Sequence, residues 1–225
     1  MNASSQTTVR EIVQEFPQAV RLFESAGIDY CCGGKRTLAE ACQRGGIAVE
    51  TVLDLLQQPT ETGEARTDRW TSAELPELVD YIVQTHHAFV RRESPRLTEL
   101  LTKVQAKHGT NHPELSEIAA LFAALTRELS LHMRKEEQAL FPLLKDRSGA
   151  GSHWVEFPIR QMMAEHEDAG DALAGIRSLS GGFEIPADAC LSFAALYQGL
   201  EEFERDLHRH IHLENNILFP RALEA

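Results

Sequence analysis

The sequence is poor in cysteine, in basic charge and in long hydrophobic runs. Its four cysteines among 225 residues are too few and too unevenly placed to staple a secreted fold, so we expect reduced thiols. Because 34 acidic residues outnumber 22 basic ones, for a net charge of −12, nucleic acid is not expected as a partner. No apolar run approaches the roughly 18 residues of a membrane helix, and the amino terminus lacks a signal-peptide layout. We therefore expect a cytoplasmic protein that does not bind membranes.

The alternation typical of β-strands is absent as well, and apolar side chains recur at helical spacing instead. The pattern around the string Cys31-Cys32-Gly33-Gly34 predicts a small helical domain at residues 1–57. The composition then shifts to Pro, Thr, Glu and Gly, which predicts a linker at residues 58–70. Residues 71–225 contain four long periodic stretches, roughly 71–107, 113–144, 158–179 and 186–219. We predict an all-α fold in which an antiparallel four-helix bundle follows the small helical domain.

The bundle segment contains an internal repeat. Segment 132–142 matches segment 210–220 at its histidine, at the glutamate four residues later and at the final Leu-Phe-Pro. A further histidine precedes each segment, by 45 residues in the first copy and by 44 in the second. The matched side chains are His87, His132, Glu136, His166, His210 and Glu214.

The spacing within each copy puts its histidine and glutamate on one face of a helix, about 6 Å apart along the axis. That face also carries the leucines and phenylalanines of the core stripe. Buried imidazoles and carboxylates cost several kcal/mol unless they pair with one another or bind a metal. A single pair is typical of a satisfied core histidine, but the doubled set favours two metal ions bridged by Glu136 and Glu214. A ligand set without thiolate favours iron or manganese over structural zinc.

Two parts of the sequence resemble a known family. The bundle is similar to a hemerythrin-like domain, on the doubled motif and on the closing run Leu213–Leu223. Residues 7–57, with the string Asp-Tyr-Cys-Cys-Gly-Gly at 29–34, resemble the amino-terminal domain of the RIC family, the iron-sulfur cluster repair di-iron proteins. The resemblance covers nearly the whole chain.

The resemblance implies a metal centre of two iron ions, as Fe2+ or Fe3+, bridged by an oxo group and by carboxylates, with manganese less favoured. The implied ligands are His87, His132, Glu136, His166, His210 and Glu214. His108, before the second bundle helix, falls where relatives carry a histidine and is a candidate fifth histidine ligand. The positions four residues from His166 hold Met162 and Gly170 rather than histidine. This departure implies open coordination positions and argues against pure oxygen transport.

The neighbours His86 and His87 point about 100° apart on a regular helix, so only one can face a given point. The apolar stripe through Val79 and Ile82 centres nearer His86, whereas the resemblance places the ligand at His87. Four further histidines have no partner in the repeat, namely His112, His153, His208 and His212. His208 and His212 flank His210 on other faces of the helix, so we expect these two at the surface or just outside the ligand set.

The adjacent cysteines Cys31 and Cys32 form a second candidate site. Their Cα atoms lie about 3.8 Å apart, below the usual range for disulfides, so a bond between them would be strained and easily reduced. Such a pair suits redox exchange or contact with a soft metal, and the glycines after it are expected to leave the sulfurs accessible. The alternative is two small core residues in a turn. Cys42 and Cys190 are interpreted as core residues.

Together these features predict a di-iron protein that helps to repair iron-sulfur clusters after nitric oxide or peroxide damage. It would act by donating iron or by handling NO at open iron positions. Its expected partners are damaged iron-sulfur proteins or a cluster scaffold, together with NO, O2 or peroxide, and a homodimer is compatible with the sequence. Two alternatives stay open, namely an NO or peroxide reductase and a metal-responsive or oxygen-responsive sensor module.

Overall fold

A computed structural model describes residues 3–16, 19–26, 28–31, 34–56, 68–146 and 153–224. Cys32 and most of the predicted linker lie outside the described residues. Within those ranges every regular element is helical, and the β-type pairing is an isolated bridge between Thr8 and Thr37. The predicted all-α fold, a helical bundle after a small helical region, is confirmed.

Short helices form the amino-terminal part. They are α1 (Val9–Glu15), α2 (Ala19–Ala26), α3 (Leu38–Gly45), α4 (Val49–Leu56) and α5 (Asp68–Ser72). Capping boxes begin two of them, because Thr8 pairs with Glu11 and Thr37 pairs with Glu40 through reciprocal hydrogen bonds. The apolar faces of α1 to α4 meet in one core cluster that includes Phe23, which is fully buried.

Four long helical runs form the bundle. Bundle helix 1 comprises α6 (Leu75–Ile82), a π-helical turn π1 (Val83–His87) and α7 (Ala88–His108). Bundle helix 2 comprises α8 (Glu114–Lys135), π2 (Glu136–Leu140) and α9 (Phe141–Lys145). Bundle helix 3 is α10 (His153–Leu179), and bundle helix 4 comprises α11 (Leu191–His212), π3 (Leu213–Leu218) and α12 (Phe219–Glu224).

The starts of bundle helices 3 and 4 differ most from the sequence-based expectation. Bundle helix 3 begins at His153, so that Pro158 lies inside it rather than at its start. Bundle helix 4 begins at Leu191, because Pro186 accepts a hydrogen bond from the amide of Ala189 in a separate turn. Proline signals fitted the neighbourhood of each helix start but not its first residue.

Each of the π-helical turns π1, π2 and π3 contains a candidate ligand, namely His87, Glu136 and Glu214 in that order. In π2 the amide of Phe141 bonds to the carbonyl of Glu136, and in π3 the amide of Phe219 bonds to that of Glu214. A proline follows each phenylalanine, so the next residue has no N–H to continue an α-helical pattern. The repeat is therefore structural as well as sequential, since the same widened turn follows each motif.

The described part of the chain divides into two compact units. The first joins the residues up to Leu78 with those from Ile211 onward, and the second comprises Val79–His210. In the second unit bundle helix 2 packs against bundle helices 1 and 3. A Cβ atom at Gly199 would lie 2.6 Å from Cδ2 of Leu97, so this glycine allows a close approach to bundle helix 1. Searched over its described residues, the chain has no helix with the length and hydropathy of a membrane span.

Candidate metal centre

Six buried side chains converge in two overlapping groups. In each group the four ligand atoms all lie within 4.8 Å of one another, and both groups contain Glu136 and Glu214. The first group is His87, Glu136, His210 and Glu214, and the second is His132, Glu136, His166 and Glu214. Because α11 runs without a break into π3, His210 and Glu214 belong to one continuous helical run. All six residues are those that the doubled motif singles out.

The carboxylate of Glu136 lies between two histidines. Its Oε2 atom is 3.3 Å from Nε2 of His87, and its Oε1 atom is 3.3 Å from Nε2 of His132. In the second group Nε2 of His166 lies 3.0 Å from Nε2 of His132. Each oxygen of Glu136 thus faces a different group, as a carboxylate that bridges two ions must.

The chemistry of this donor set fits a pair of divalent or trivalent metal ions. Glu136, Glu214 and His87 are fully buried, and the other three histidines are 1–3% exposed. Two ionised carboxylates so close together in a core would cost several kcal/mol without compensating positive charge. Metal ions supply that charge, and neutral imidazoles offer further ligand atoms without adding charge of their own. The donor set is therefore that of a binuclear centre.

Outer carboxylates orient two of the imidazoles. Glu137 accepts a hydrogen bond from Nδ1 of His87 at 2.6 Å, and Glu165 accepts one from Nδ1 of His132 at 2.8 Å. Because a carboxylate only accepts, each Nδ1 carries the proton and each Nε2 lone pair faces the site. Both imidazoles belong to the first copy of the repeat, and their partners come from different helices, Glu137 from bundle helix 2 and Glu165 from bundle helix 3.

Basic side chains keep these outer carboxylates ionised. Burial alone would raise the pKa of Glu137, but hydrogen bonds from His87 and Arg91 lower it below its usual value. Burial likewise opposes ionisation of Glu165, and hydrogen bonds from Lys135 and His132 lower its pKa. Both acids can thus hold the Nδ1 protons as carboxylates at neutral pH.

The structure distinguishes the neighbouring histidines that the sequence left open. His87 belongs to the first group, and its ring stacks on Phe141, with ring centroids 5.7 Å apart. His86 belongs to neither group. Its Nδ1 atom lies 3.0 Å from Oδ1 of Asp206, and its ring stacks on His210 at 5.6 Å. Both residues are buried at the end of π1. A π-helical turn contains more residues than an α-helical turn, so the spacing of the apolar stripe before π1 does not continue unchanged to these two histidines.

His108 is not brought to either group. It ends α7, about 30 Å along the helix from His87, and its Nε2 atom lies 3.2 Å from Sγ of Cys190. His112, which has no partner in the repeat, is half-buried and bonds Glu114 at 2.9 Å and Asp188 at 3.0 Å. The side chain of His153 lies outside the described residues, and His208 is half-buried.

Cys31 lies in the amino-terminal unit, and the sequence-based expectation of an accessible sulfur was wrong for it. The residue is 2% exposed, and its Sγ atom donates to Asp29 at 3.3 Å. The side-chain amide of Asn215 donates to the backbone carbonyl of Cys31, and the side-chain amide of Asn216 donates to the backbone carbonyl of Tyr30. The Cys31 segment is thereby bonded to the two residues that follow Glu214 in the same unit. Cys32 lies outside the described residues.

Several residues of this region were missed by sequence reasoning. Glu137 directly follows Glu136, and Glu165 directly precedes His166. This adjacency to residues of the doubled motif was the available sequence signal. His212, expected at the surface or just outside the ligand set, is buried against Tyr30, and burial together with Arg10 lowers its pKa to about 4. The buried asparagines had no sequence signal beyond their place in an apolar run.

Comparisons with known proteins agree with this geometry. Residues 78–222 match the hemerythrin HHE cation binding domain, and residues 5–60 match a domain of unknown function, ScdA_N. The iron-sulfur cluster repair protein YtfE of Citrobacter koseri is 40% identical over 217 residues, which cover 95% of this chain and 94% of that protein. YtfE of Escherichia coli O157:H7 shows the same identity and coverage. A probable iron-sulfur cluster repair protein of Haemophilus influenzae is 38% identical over 220 residues, or 97% of each chain.

Proposed function

Since the chain belongs to the iron-sulfur cluster repair family, we propose that it holds two iron ions and helps to restore damaged iron-sulfur clusters in other proteins. The observation that carries this proposal is the pair of four-residue groups that share Glu136 and Glu214. Iron is favoured because imidazole and carboxylate oxygen together, without thiolate, suit it better than structural zinc. Manganese, which accepts the same donors, is the competing metal.

The chain's own residues would hold the ions and leave part of each coordination sphere open. The proposed ligands are His87, His132, Glu136, His166, His210 and Glu214. Four ligand atoms per group leave about two positions of a six-coordinate ion for other molecules. Bound iron would supply redox chemistry and a binding position for NO or peroxide, while the outer glutamates keep the Nδ1 protons in place.

The amino-terminal part contributes the cysteine segment to the proposal. We keep Cys31 and Cys32 as a candidate redox dithiol on the strength of their adjacency in the sequence. We also keep the division into a domain at 1–57, a linker at 58–70 and a bundle at 71–225, although Asp68–Ser72 is helical. The proposed partners are iron-sulfur proteins or a cluster scaffold in the cytoplasm.

Metal content and an optical spectrum of the aerobically purified protein test the iron site. We expect about two irons per chain and the near-ultraviolet bands of an oxo-bridged di-ferric centre. E136Q removes the carboxylate common to both groups and should lose both ions, whereas E128Q changes an exposed glutamate of the same helix and should keep them. A single zinc ion, or two irons retained in E136Q, would contradict the assignment.

A repair assay tests the function itself. The protein loaded with ⁵⁷Fe is incubated with an NO-damaged [4Fe–4S] dehydratase, and the recovered activity and the isotope in the target are both measured. Recovery with ⁵⁷Fe in the rebuilt cluster supports iron donation, and recovery without the label supports NO handling. Equal recovery with E136Q would overturn the role of the metal centre. Steady consumption of NO or peroxide with an electron donor, without any repair, would favour the reductase alternative.

A further inference from the structure

A second chemical site lies at the end of bundle helix 1, built around Cys190. Cys190 directly precedes α11, and its carbonyl accepts the amide of Ala194 at 3.0 Å, so it occupies the N-cap position of a 22-residue helix. The amides of Ser192 and Phe193 turn toward its sulfur. The sulfur therefore faces the positive end of the helix dipole.

An imidazole lies against the same sulfur from another helix. Nε2 of His108 is 3.2 Å from Sγ of Cys190, within hydrogen-bond reach for a sulfur atom. The His108 ring is held by Phe193, with ring centroids 5.2 Å apart, and Lys107 adds positive charge nearby. A nucleophile and a base at this separation form the basic unit of an activated thiol.

The surrounding carboxylates are engaged elsewhere. Asp188, two residues before Cys190, bonds Nε2 of His112 at 3.0 Å, and Glu114 bonds Nδ1 of the same ring at 2.9 Å. These bonds raise the pKa of His112, and they hold the charge of its ring against the two acids rather than against the thiol. The two acids are thus matched by His112, and His108 is left to face the sulfur.

Cys190 is also more exposed to solvent than the other cysteines that the structure describes. Cys31 and Cys42 are buried, whereas Cys190 is half-buried beside Leu191, which is 91% exposed. Hydrogen bonds from the Phe193 amide and from His108 lower the pKa of Cys190 to about 7. A thiol with such a pKa is largely ionised at neutral pH. The interpretation of Cys190 as a core residue was wrong, because the residue is only half-buried.

We propose that Cys190 is a thiol modification site that exchanges with small disulfides, and that His108 is its proton acceptor. The Cys190 thiol gives its proton to Nε2 of His108, and the thiolate attacks one sulfur of the disulfide. The S–S bond of the disulfide breaks as the new S–S bond forms, and the departing thiolate takes the proton back from the imidazolium. Cys190 is oxidised to a mixed disulfide while the other half of the reagent is reduced to a thiol.

The test uses the full-length metal-loaded protein and the neutral reagent 2-hydroxyethyl disulfide. We expect mass spectrometry to find an adduct at Cys190 in the folded chain, with Cys42 unmodified until denaturant is added. The pH dependence of the rate should give an apparent pKa near 7. Modification of Cys190 only after unfolding, or an apparent pKa at the ordinary thiol value of about 8.5, would overturn the proposal.

Variants separate activation by His108 from simple exposure. H108Q should raise the apparent pKa of the Cys190 reaction by about one unit or more, whereas H112Q should leave it within a few tenths, because both nitrogens of His112 bond to acids. An unchanged apparent pKa in a folded H108Q would remove His108 from the site. If H108Q does not fold, the wild-type apparent pKa and adduct position still decide. C190S should lose the adduct and keep its metal.

Discussion

At the scale of single residues, two histidines of the metal centre are specified at both ring nitrogens. Nε2 of His87 and of His132 faces Glu136, while Nδ1 is bonded to Glu137 or Glu165. The outer bond fixes the tautomer and the ring plane before any ion binds. We therefore expect metal affinity to depend on residues that never touch the metal.

Replacing Glu137 with glutamine tests this dependence. E137Q keeps the shape of the side chain but removes the charge that bonds Nδ1 of His87, so metal affinity should fall about 10-fold to 100-fold. E128Q, on an exposed face of the same helix, is the matched control and should bind as the wild type does. Competition with a chromophoric chelator measures both. Equal affinities for the two variants would contradict an orienting role.

His112 gives a prediction about pH. Its bonds to Glu114 and Asp188 raise its pKa above the unfolded value of 6.5, so the folded state binds the proton more tightly. The stabilisation is then fully present below pH 6.5 and is lost as the pH rises through the folded pKa. Urea unfolding from pH 5.5 to 9 should show the wild type losing its advantage over H112Q. An advantage that grows with pH would contradict the pairing.

How far the site could be predicted depends on where each contact originates. The six side chains of the doubled motif could be found because an i, i+4 spacing lies within one helix and repeats in the next pair. Glu165 could not be assigned to His132, because that bond depends on how bundle helices 2 and 3 align. The contact of His108 with the Cys190 thiol could not be predicted for the same reason, because the two residues are 82 positions apart in the sequence.

At the scale of elements, the π-helical turns set the direction in which ligands point. Each glutamate shared by the two groups has its backbone carbonyl bonded to the backbone amide of a phenylalanine five residues later, and a proline follows. A periodicity of 3.6 residues predicted the four helices. It could not predict which side chains face the core after a π-helical turn, because that turn has a different number of residues. This is why the apolar stripe pointed to His86 although His87 belongs to the metal groups.

Replacing Pro142 with alanine tests the link between turn and site. P142A restores an N–H that can bond the carbonyl four residues earlier, which favours regular α-helix by about 1 kcal/mol. If the metal-bound form needs π2, affinity should fall about fivefold while thermal stability of the metal-free protein is kept. P95A, inside α7 and remote from π2, is the control. Unchanged metal affinity in P142A would separate the turn from the site.

At the scale of the whole molecule, the candidate ligands lie on all four bundle helices, so we expect metal binding and folding to be coupled. Bound ions stabilise the folded state, and one ion at a concentration 100 times its Kd adds about 2.7 kcal/mol. For a chain of this size we expect Tm to fall by roughly 5–10 °C for each ion that a chelator removes. Thermal unfolding followed by circular dichroism measures the change. E136Q should show no such fall, and a full-sized fall in E136Q would place the stabilising ions elsewhere.

The two groups also divide their ligands evenly along the chain. Bundle helices 1 and 2 supply His87 and Glu136 to the first group, and bundle helix 4 supplies His210 and Glu214. The second group again takes two residues from each half. If the chain were cut between bundle helices 2 and 3, neither fragment would retain more than half of any ion's ligands. The metal ions would then join the two fragments. The fragments should associate when metal is supplied and separate when a chelator removes it.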